Sequence, residues 1–195
     1  MSKKESSIRV ISGKFRSRKI VFPSDLSIRP TGARIRESLF NLLQADIVGA
    51  NCLDLFAGSG ALGIESLSRG AKGVTFVEAD LKAALALTGN LEALGGPNAV
   101  VHPINAMSWL GEYKSTEQFD IVYLDPSFEQ NILSKCYILL EEANILKDSC
   151  IIYIESGKAV EKTNVPANWL LQRSEKVGAV YFYLYHRIFD LNKDK

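Results

Sequence analysis

Between Asn51 and Glu155, short apolar runs alternate with longer stretches in which apolar residues recur every three or four positions. The runs CLDLF from Cys52, VTFVE from Val74, VVHPI from Val100, DIVYL from Asp120 and CIIYIE from Cys150 predict strands. Helical spacing predicts helices from Ala61, from Leu81 and over 132–143, with a short helical turn at MSWL, Met107 to Leu110. Strands apolar on both sides and separated by helices predict an α/β fold, a mostly parallel sheet covered on both faces. The end of the chain differs. NWLLQRSEKV and AVYFYLYHRI, on either side of Gly178, predict an antiparallel hairpin. In it Tyr181, Tyr183 and Tyr185 alternate with Phe182, Leu184 and His186, a strand expected to pack on both faces.

Ahead of this unit, IRVISG and KIVF read as two short strands joined by the basic turn KFRSR. Pro30 and Thr31 then introduce a helix with Ile35, Leu39, Leu42 and Leu43 on one side and Arg34, Glu37, Ser38 and Asn41 on the other. The expected organisation is a small N-terminal β extension, residues 1–28, followed by a main domain, residues 29–195.

Charge sharpens that division. The formal net charge is +1, yet residues 1–37 carry ten Lys and Arg against three acids, a balance of +7, and the remainder carries −6. A basic arm on an acidic body predicts a polyanionic partner held through phosphates; a solvated basic end is the alternative. Cys52, Cys136 and Cys150 make an odd count without a C-x-x-C pair, which disfavours a disulfide framework or zinc knuckle and suits a reducing cytoplasm. No run approaches the roughly 18 apolar residues of a membrane span, and no targeting segment is expected. His102 and His186 stand apart from any ligand-spaced partner, so no metal is expected. A monomer is expected.

Three segments carry candidate chemistry. In LDLFAGSGALG, Leu53 to Gly63, glycines follow a strand and open a helix, so that backbone can approach a ligand and helix amides can meet it. Glu78 ends the next strand 20 residues beyond Gly58, where an acid can accept both hydroxyls of a ribose. Asp54 stands just before the glycines; a carboxylate there suits a ligand with an ammonium or sulfonium better than a pyrophosphate, which favours S-adenosylmethionine over a nicotinamide dinucleotide. In INAMSW, Asn105 and the Ala106 backbone are placed to meet an adenine, while Trp109 is expected in the core. In YLDPSF, a strand delivers Asp125 to the carboxyl end of the sheet, and Pro126 holds it extended. The Asp125 carboxylate and the Pro126 carbonyl can converge on one amino group, with Phe128 as a face for a planar base. Those are the requirements for methylating a conjugated exocyclic amine.

LDLFAGSGALG, VEAD, INAMSWL and YLDPSF, in this order, resemble the class I S-adenosylmethionine-dependent methyltransferases. RVISGKFRSRKI, RPTGARIRESLFNLL, IIYIES and NWLLQRSEKVGAVYFYLYHR narrow the resemblance to the RsmD family, bacterial enzymes that methylate N2 of one guanine in 16S rRNA. The resemblance runs from about Arg9 to Arg187. It implies a Rossmann-like, mostly parallel seven-stranded sheet with a C-terminal antiparallel hairpin, acting on 16S rRNA in the small ribosomal subunit or its precursor. It further implies that Asp54, Gly58 and Gly60 surround the methionine part of S-adenosylmethionine, Glu78 the ribose, and Asn105 with Ala106 the adenine, with Phe56 and Ser59 also among the cofactor-binding residues. Asp125, Pro126 and Phe128 would hold the guanine. Arg9, Lys14, Arg16, Arg18 and Lys19 would face RNA, with Arg29 to Thr31 and Arg34 near the mouth of the site. One departure stands out: the family loop is usually DPPF, and Ser127 replaces its second proline, which leaves the acceptors in place and frees the backbone. Other readings of the same residues are an adenine-N6 methyltransferase on DNA or RNA, and a catalytically silent ribosome assembly factor.

Overall fold

The computed structural model describes residues 5–24, 28, 30–113, 116–126, 130–160 and 164–188. Strands β1 (Glu5–Arg9) and β2 (Lys19–Pro23) form an antiparallel two-stranded sheet. Helix α1 (Ala33–Leu42) follows, and then β3 (Asn51–Asp54), α2 (Ala61–Ser68), β4 (Gly73–Val77), α3 (Leu81–Ala93) and β5 (Ala99–His102). Helix α4 (Ala106–Glu112), β6 (Phe119–Leu124), α5 (Gln130–Glu142) and β7 (Leu146–Ser156) complete the alternation, and β8 (Trp169–Val177) with β9 (Val180–Arg187) forms the hairpin. The large sheet has the order β5-β4-β3-β6-β7-β9-β8, parallel from β5 to β7 and antiparallel beyond.

Side chains alternate across these strands and so build two cores. Cys52, Ile121, Tyr123, Ile151, Tyr153 and Phe182 face α1, α2 and α3. Leu53, Val122, Leu124, Ile152, Ile154 and Tyr185 face α4 and α5. Trp109 lies in the second core, against Tyr113 and Phe119, as its isolated position in a short amphipathic stretch predicts. The three cysteines are buried and free.

Two local expectations are corrected. MSWL belongs to a seven-residue α-helix rather than a single turn, because Asn105 caps it: its Oδ1 accepts from Met107 N at 2.8 Å. On α1 the buried stripe is Ile35, Arg36, Leu39 and Phe40, continuing into Leu43, while Leu42 is exposed. An arginine thus takes an apolar position, and its partner explains why. Glu65, fully buried in the middle of α2, accepts from Arg36 Nη1 at 3.4 Å, from Arg69 Nε at 2.9 Å, and from the amides of Ile11 and Ser12 at 2.8 and 3.0 Å.

The extension is docked by that carboxylate and by shared apolar packing, since Val10, Phe15 and Ile20 belong to the first core. Gly13 comes so close to the end of α2 that a Cβ would lie 1.8 Å from the Ser68 carbonyl oxygen; its φ of +83° likewise suits glycine. Asn90 of α3 accepts from Val21 N and donates to Val21 O, at 3.0 and 2.8 Å, holding β2 as a further strand would. Removing Glu65 would leave the Arg36 guanidinium, 2% exposed, without its anion. Glu65→Ala is expected to lower the unfolding free energy by about 3–5 kcal/mol, measured by urea titration.

Candidate active site

The sheet reverses direction between β3 and β6: from β3 the chain moves outward to β4 and β5, then returns to β6 on the other side. Such a reversal opens a crevice at the carboxyl ends of the strands. Asp54 is in register with Phe76 of β4 and Tyr123 of β6. Glu78 and Asp125 each lie two residues beyond those partners, so three carboxylates ring the crevice.

Backbone geometry shapes its floor. Gly58 and Gly60 take φ of 51° and 76°, in the left-handed region, and Gly60 N donates to Ala57 O at 2.6 Å to close the turn into α2. A Cβ on Gly60 would fall 2.3 Å from Leu87, so space as well as conformation requires glycine there. Phe56 is half-buried beside this turn and Ser59 is buried within it. Glu78 spans the rim: its Oε2 accepts from Gly58 N and its Oε1 from Asp80 N, both at 2.7 Å.

Asp54 sits under the turn, 2% exposed, with Oδ2 accepting from Gly63 N in the first turn of α2 at 3.1 Å. Burial raises its pKa to about 7; the Gly63 bond opposes the shift, and the charges of Asp125 and Glu78 add to it. Asp125 is likewise raised to about 6 by burial, against a hydrogen bond from Thr31 Oγ1 at 3.1 Å. Mutually repelling, desolvated carboxylates make a crevice that a cationic ligand would relieve. Below YLDPSF, the Tyr123 hydroxyl pairs with Ser66 Oγ at 2.8 Å and its ring packs on Phe40, so the strand end is anchored in the core.

The predicted residues therefore gather as follows. Asp54, Gly58, Gly60, Glu78, Asp125 and Pro126 stand at adjacent strand ends, with Asn105 and Ala106 at the start of α4 after β5. The Asn105 side-chain oxygen is engaged as a helix cap, a signal legible in an Asn preceding Ala-Met-Ser. Ser127, Phe128 and Arg29 lie outside the described residues. Arg9, Lys14, Arg16, Arg18, Lys19 and Arg34 are exposed. Two of them also serve the fold: Arg9 Nη1 donates to Ser17 O at 2.8 Å, and Arg18 Nη2 donates to Ala93 O at the end of α3 at 2.5 Å. The contact of Thr31 with Asp125 joins segments 94 residues apart, and nothing in the local pattern of either announces it. Among the described residues no helix is long and apolar enough to cross a membrane.

A parallel sheet with this order, a glycine turn after its central strand and an antiparallel hairpin at one edge define the class I methyltransferase fold. The solved structure of the Escherichia coli protein yhhF superposes with a TM-score of 0.86 at 43% identity, over 95% of this chain and 100% of that one. A 16S rRNA N2 G1207 methyltransferase from T. thermophilus, solved with AdoMet and guanosine, shares the fold at 20% identity, with a TM-score of 0.67 over 94% of this chain and 50% of that one. The model of the family described as conserved hypothetical protein 95 matches residues 8–186. Ribosomal RNA small subunit methyltransferase D of Escherichia coli K12 is 46% identical over 180 residues, 92% of this chain and 90% of that protein. The chain belongs to this family, the RsmD family that its motifs resemble.

Proposed function

We propose that this chain methylates the exocyclic N2 amine of a guanine in 16S rRNA, within the small ribosomal subunit or its precursor, using S-adenosylmethionine. The observation that carries the reading is the placement of Asp125 and Pro126 at the carboxyl end of β6, beside the crevice that holds Asp54 and Glu78. Family membership supplies the substrate class, and the relatives' names point to small-subunit rRNA.

The donor set fits that cofactor. Asp54 is a buried carboxylate beside like charges, suited to the positive methionine end, and Glu78 on the rim can accept from ribose hydroxyls. When bound there, S-adenosylmethionine supplies a methyl group activated by its sulfonium. The protein's own part is placement. An exocyclic amine conjugated with a purine ring has its lone pair drawn into the ring; acceptors on its two hydrogens favour the pyramidal, more nucleophilic form. The Asp125 carboxylate and the Pro126 carbonyl are those acceptors. Once the methyl is transferred the amine carries an excess proton, and Asp125 Oδ1 is the base of this pair that receives it. Phe128 would stack on the base after it leaves its helix.

The test is transfer of labelled methyl from S-adenosylmethionine to small subunits prepared from a strain lacking the enzyme, with nucleoside identification by mass spectrometry. N2-methylguanosine is the expected product. N6-methyladenosine would move the reading to adenine, and cofactor binding without transfer would move it to an assembly factor.

The basic extension is proposed to hold the RNA. Lys14, Arg16 and Lys19 project from the turn and the start of β2, and a cleft of about 440 Å³ lined by Ile8, Arg9, Phe22, Pro30, Thr31 and Arg36 separates the extension from the start of α1. Arg16→Gln with Lys19→Gln is expected to weaken RNA binding without changing cofactor affinity. The logarithmic salt dependence should flatten by about 0.7–0.9 for each phosphate that the variant no longer neutralises. Binding measured between low and moderate salt checks this; an unchanged slope would make the arm a solvated face.

A further inference from the structure

Asp125 has two carboxylate oxygens, and Thr31 engages one of them. Its Oδ2 accepts from Thr31 Oγ1 at 3.1 Å, and Thr31 is only 5% exposed. Thr31 lies just ahead of α1. Three residues before it, Ile28 approaches the glycine turn: its Cγ2 is 3.6 Å from where a Cβ on Gly58 would be. Ile28 therefore reaches the cofactor turn and Thr31 reaches Asp125.

The position of Thr31 is itself fixed. Its carbonyl oxygen accepts from Arg36 Nε at 3.1 Å, while Arg36 Nη2 donates to Arg9 O at 3.1 Å and Nη1 to Glu65 at 3.4 Å. Glu65 in turn receives the amides of Ile11 and Ser12. One buried guanidinium thus ties the backbone of the extension to the backbone of the residue that holds Asp125. A buried ion pair of this kind costs desolvation and is a poor source of net stability, whereas it specifies a geometry well.

We propose that Thr31 is a positioning residue for methyl transfer: it locks Asp125 Oδ2, turns Oδ1 toward the substrate amine, and is held in place by Arg36 and Glu65. The inference rests on the reading of Asp125 as the amine acceptor. A rotating carboxylate would offer the amine a misaligned oxygen for part of the time, and productive geometry is what this reaction needs from the protein. A threonine serves because its hydroxyl donates while its methyl group and burial restrict χ1.

The hydroxyl also favours the ionised carboxylate. Beside burial, the group that acts on the Asp125 pKa is Thr31, ahead of α1; Asp54 on β3 and Tyr153 on β7, whose hydroxyl donates to Glu155 at 3.0 Å, are themselves raised by the charge of Asp125. Without the Thr31 bond, burial acts unopposed. The pKa of Asp125 then rises further above about 6, and the acidic limb of the rate profile moves to higher pH.

Thr31→Val, Thr31→Ser and Asp125→Ala, assayed together on small subunits, test this. Thr31→Val is expected to lower kcat on the order of 10- to 100-fold, with KM for S-adenosylmethionine and for RNA within about threefold of the parent, and to shift the acidic limb upward. Thr31→Ser keeps the hydroxyl and is expected to recover most of the rate, which a purely structural role of the side chain would not predict. Equal losses in the valine and serine variants would overturn the proposal, as would parental kcat in Thr31→Val beside an inactive Asp125→Ala. Parental turnover in Asp125→Ala would instead overturn the acceptor reading on which the proposal stands.

Discussion

Asp125→Ala is expected to reduce methyl transfer by roughly 100- to 1,000-fold while S-adenosylmethionine binds as tightly as before. The loss follows from removing one of two acceptors on the amine. Binding is spared because Asp54 and Glu78 remain at the cofactor turn, and loss of the Asp125 charge lowers the Asp54 pKa, so that a more fully ionised Asp54 offsets the lost carboxylate. Asp125→Asn separates two roles. The asparagine carbonyl can still accept from the substrate, because Thr31 Oγ1 can turn from donor to acceptor and meet the amide NH2. Activity well above that of the alanine variant would identify Asp125 chiefly as an acceptor; equal inactivity would identify it as the base that takes the proton. Single-turnover rates and calorimetric cofactor titration measure both quantities. The parent enzyme should also lose rate below about pH 6, where Asp125 protonates and presents a donor in place of an acceptor.

Much of this frame is legible in the sequence, for a physical reason. Strands buried on both faces must be apolar throughout, and the runs at 52, 74, 120 and 150 therefore stand out against helices that repeat every three or four residues, whereas the run at 100 is the edge strand β5, on which Val100 is exposed. A turn that must take positive φ under a packed leucine admits only glycine, so Gly60 also announces itself. Acids at strand ends are conspicuous after such runs, which is why Asp54, Glu78 and Asp125 are accessible from pattern alone.

What holds those acids is less legible. Glu65 and Arg36 each occupy a position that helical spacing gives to an apolar residue, Arg36 between Ile35 and Leu39 and Glu65 between Ile64 and Leu67. Two opposite charges on two apolar stripes are the trace of a buried pair, but spacing does not say which charges meet. The Thr31 contact is harder still, since it joins residues 94 positions apart and neither segment's periodicity carries it. The dual use of Arg9 and Arg18 is hidden in the same way. A basic run looks identical whether its guanidinia reach solvent or cap a helix, as Arg18 does at Ala93.

Asp54→Asn is expected to make the protein more stable and less able to bind its cofactor. In the folded chain the Asp54 carboxyl is held at about 7, against an ordinary value of 3.8. A carboxyl raised by folding favours the folded state only while protonated. Its cost is absent below about pH 4, grows as pH rises through this interval, and is complete above about pH 7. Asparagine never ionises and still accepts from Gly63 N, so at pH 8 the variant should gain about 2–4 kcal/mol in unfolding free energy, and at pH 4 almost nothing. Urea titrations at the two pH values measure the difference. The same carboxylate is the counter-charge for a sulfonium or ammonium, so S-adenosylmethionine affinity should fall in the variant. In the parent it should weaken by at most about tenfold per pH unit below pH 7 as Asp54 protonates. A variant that gains stability and keeps full affinity would place the cation elsewhere in the crevice. A variant that loses both would show that Asp54 serves the turn rather than the ligand. The expected opposition of the two effects reflects a site whose buried charge is tolerated in the fold because the ligand completes it.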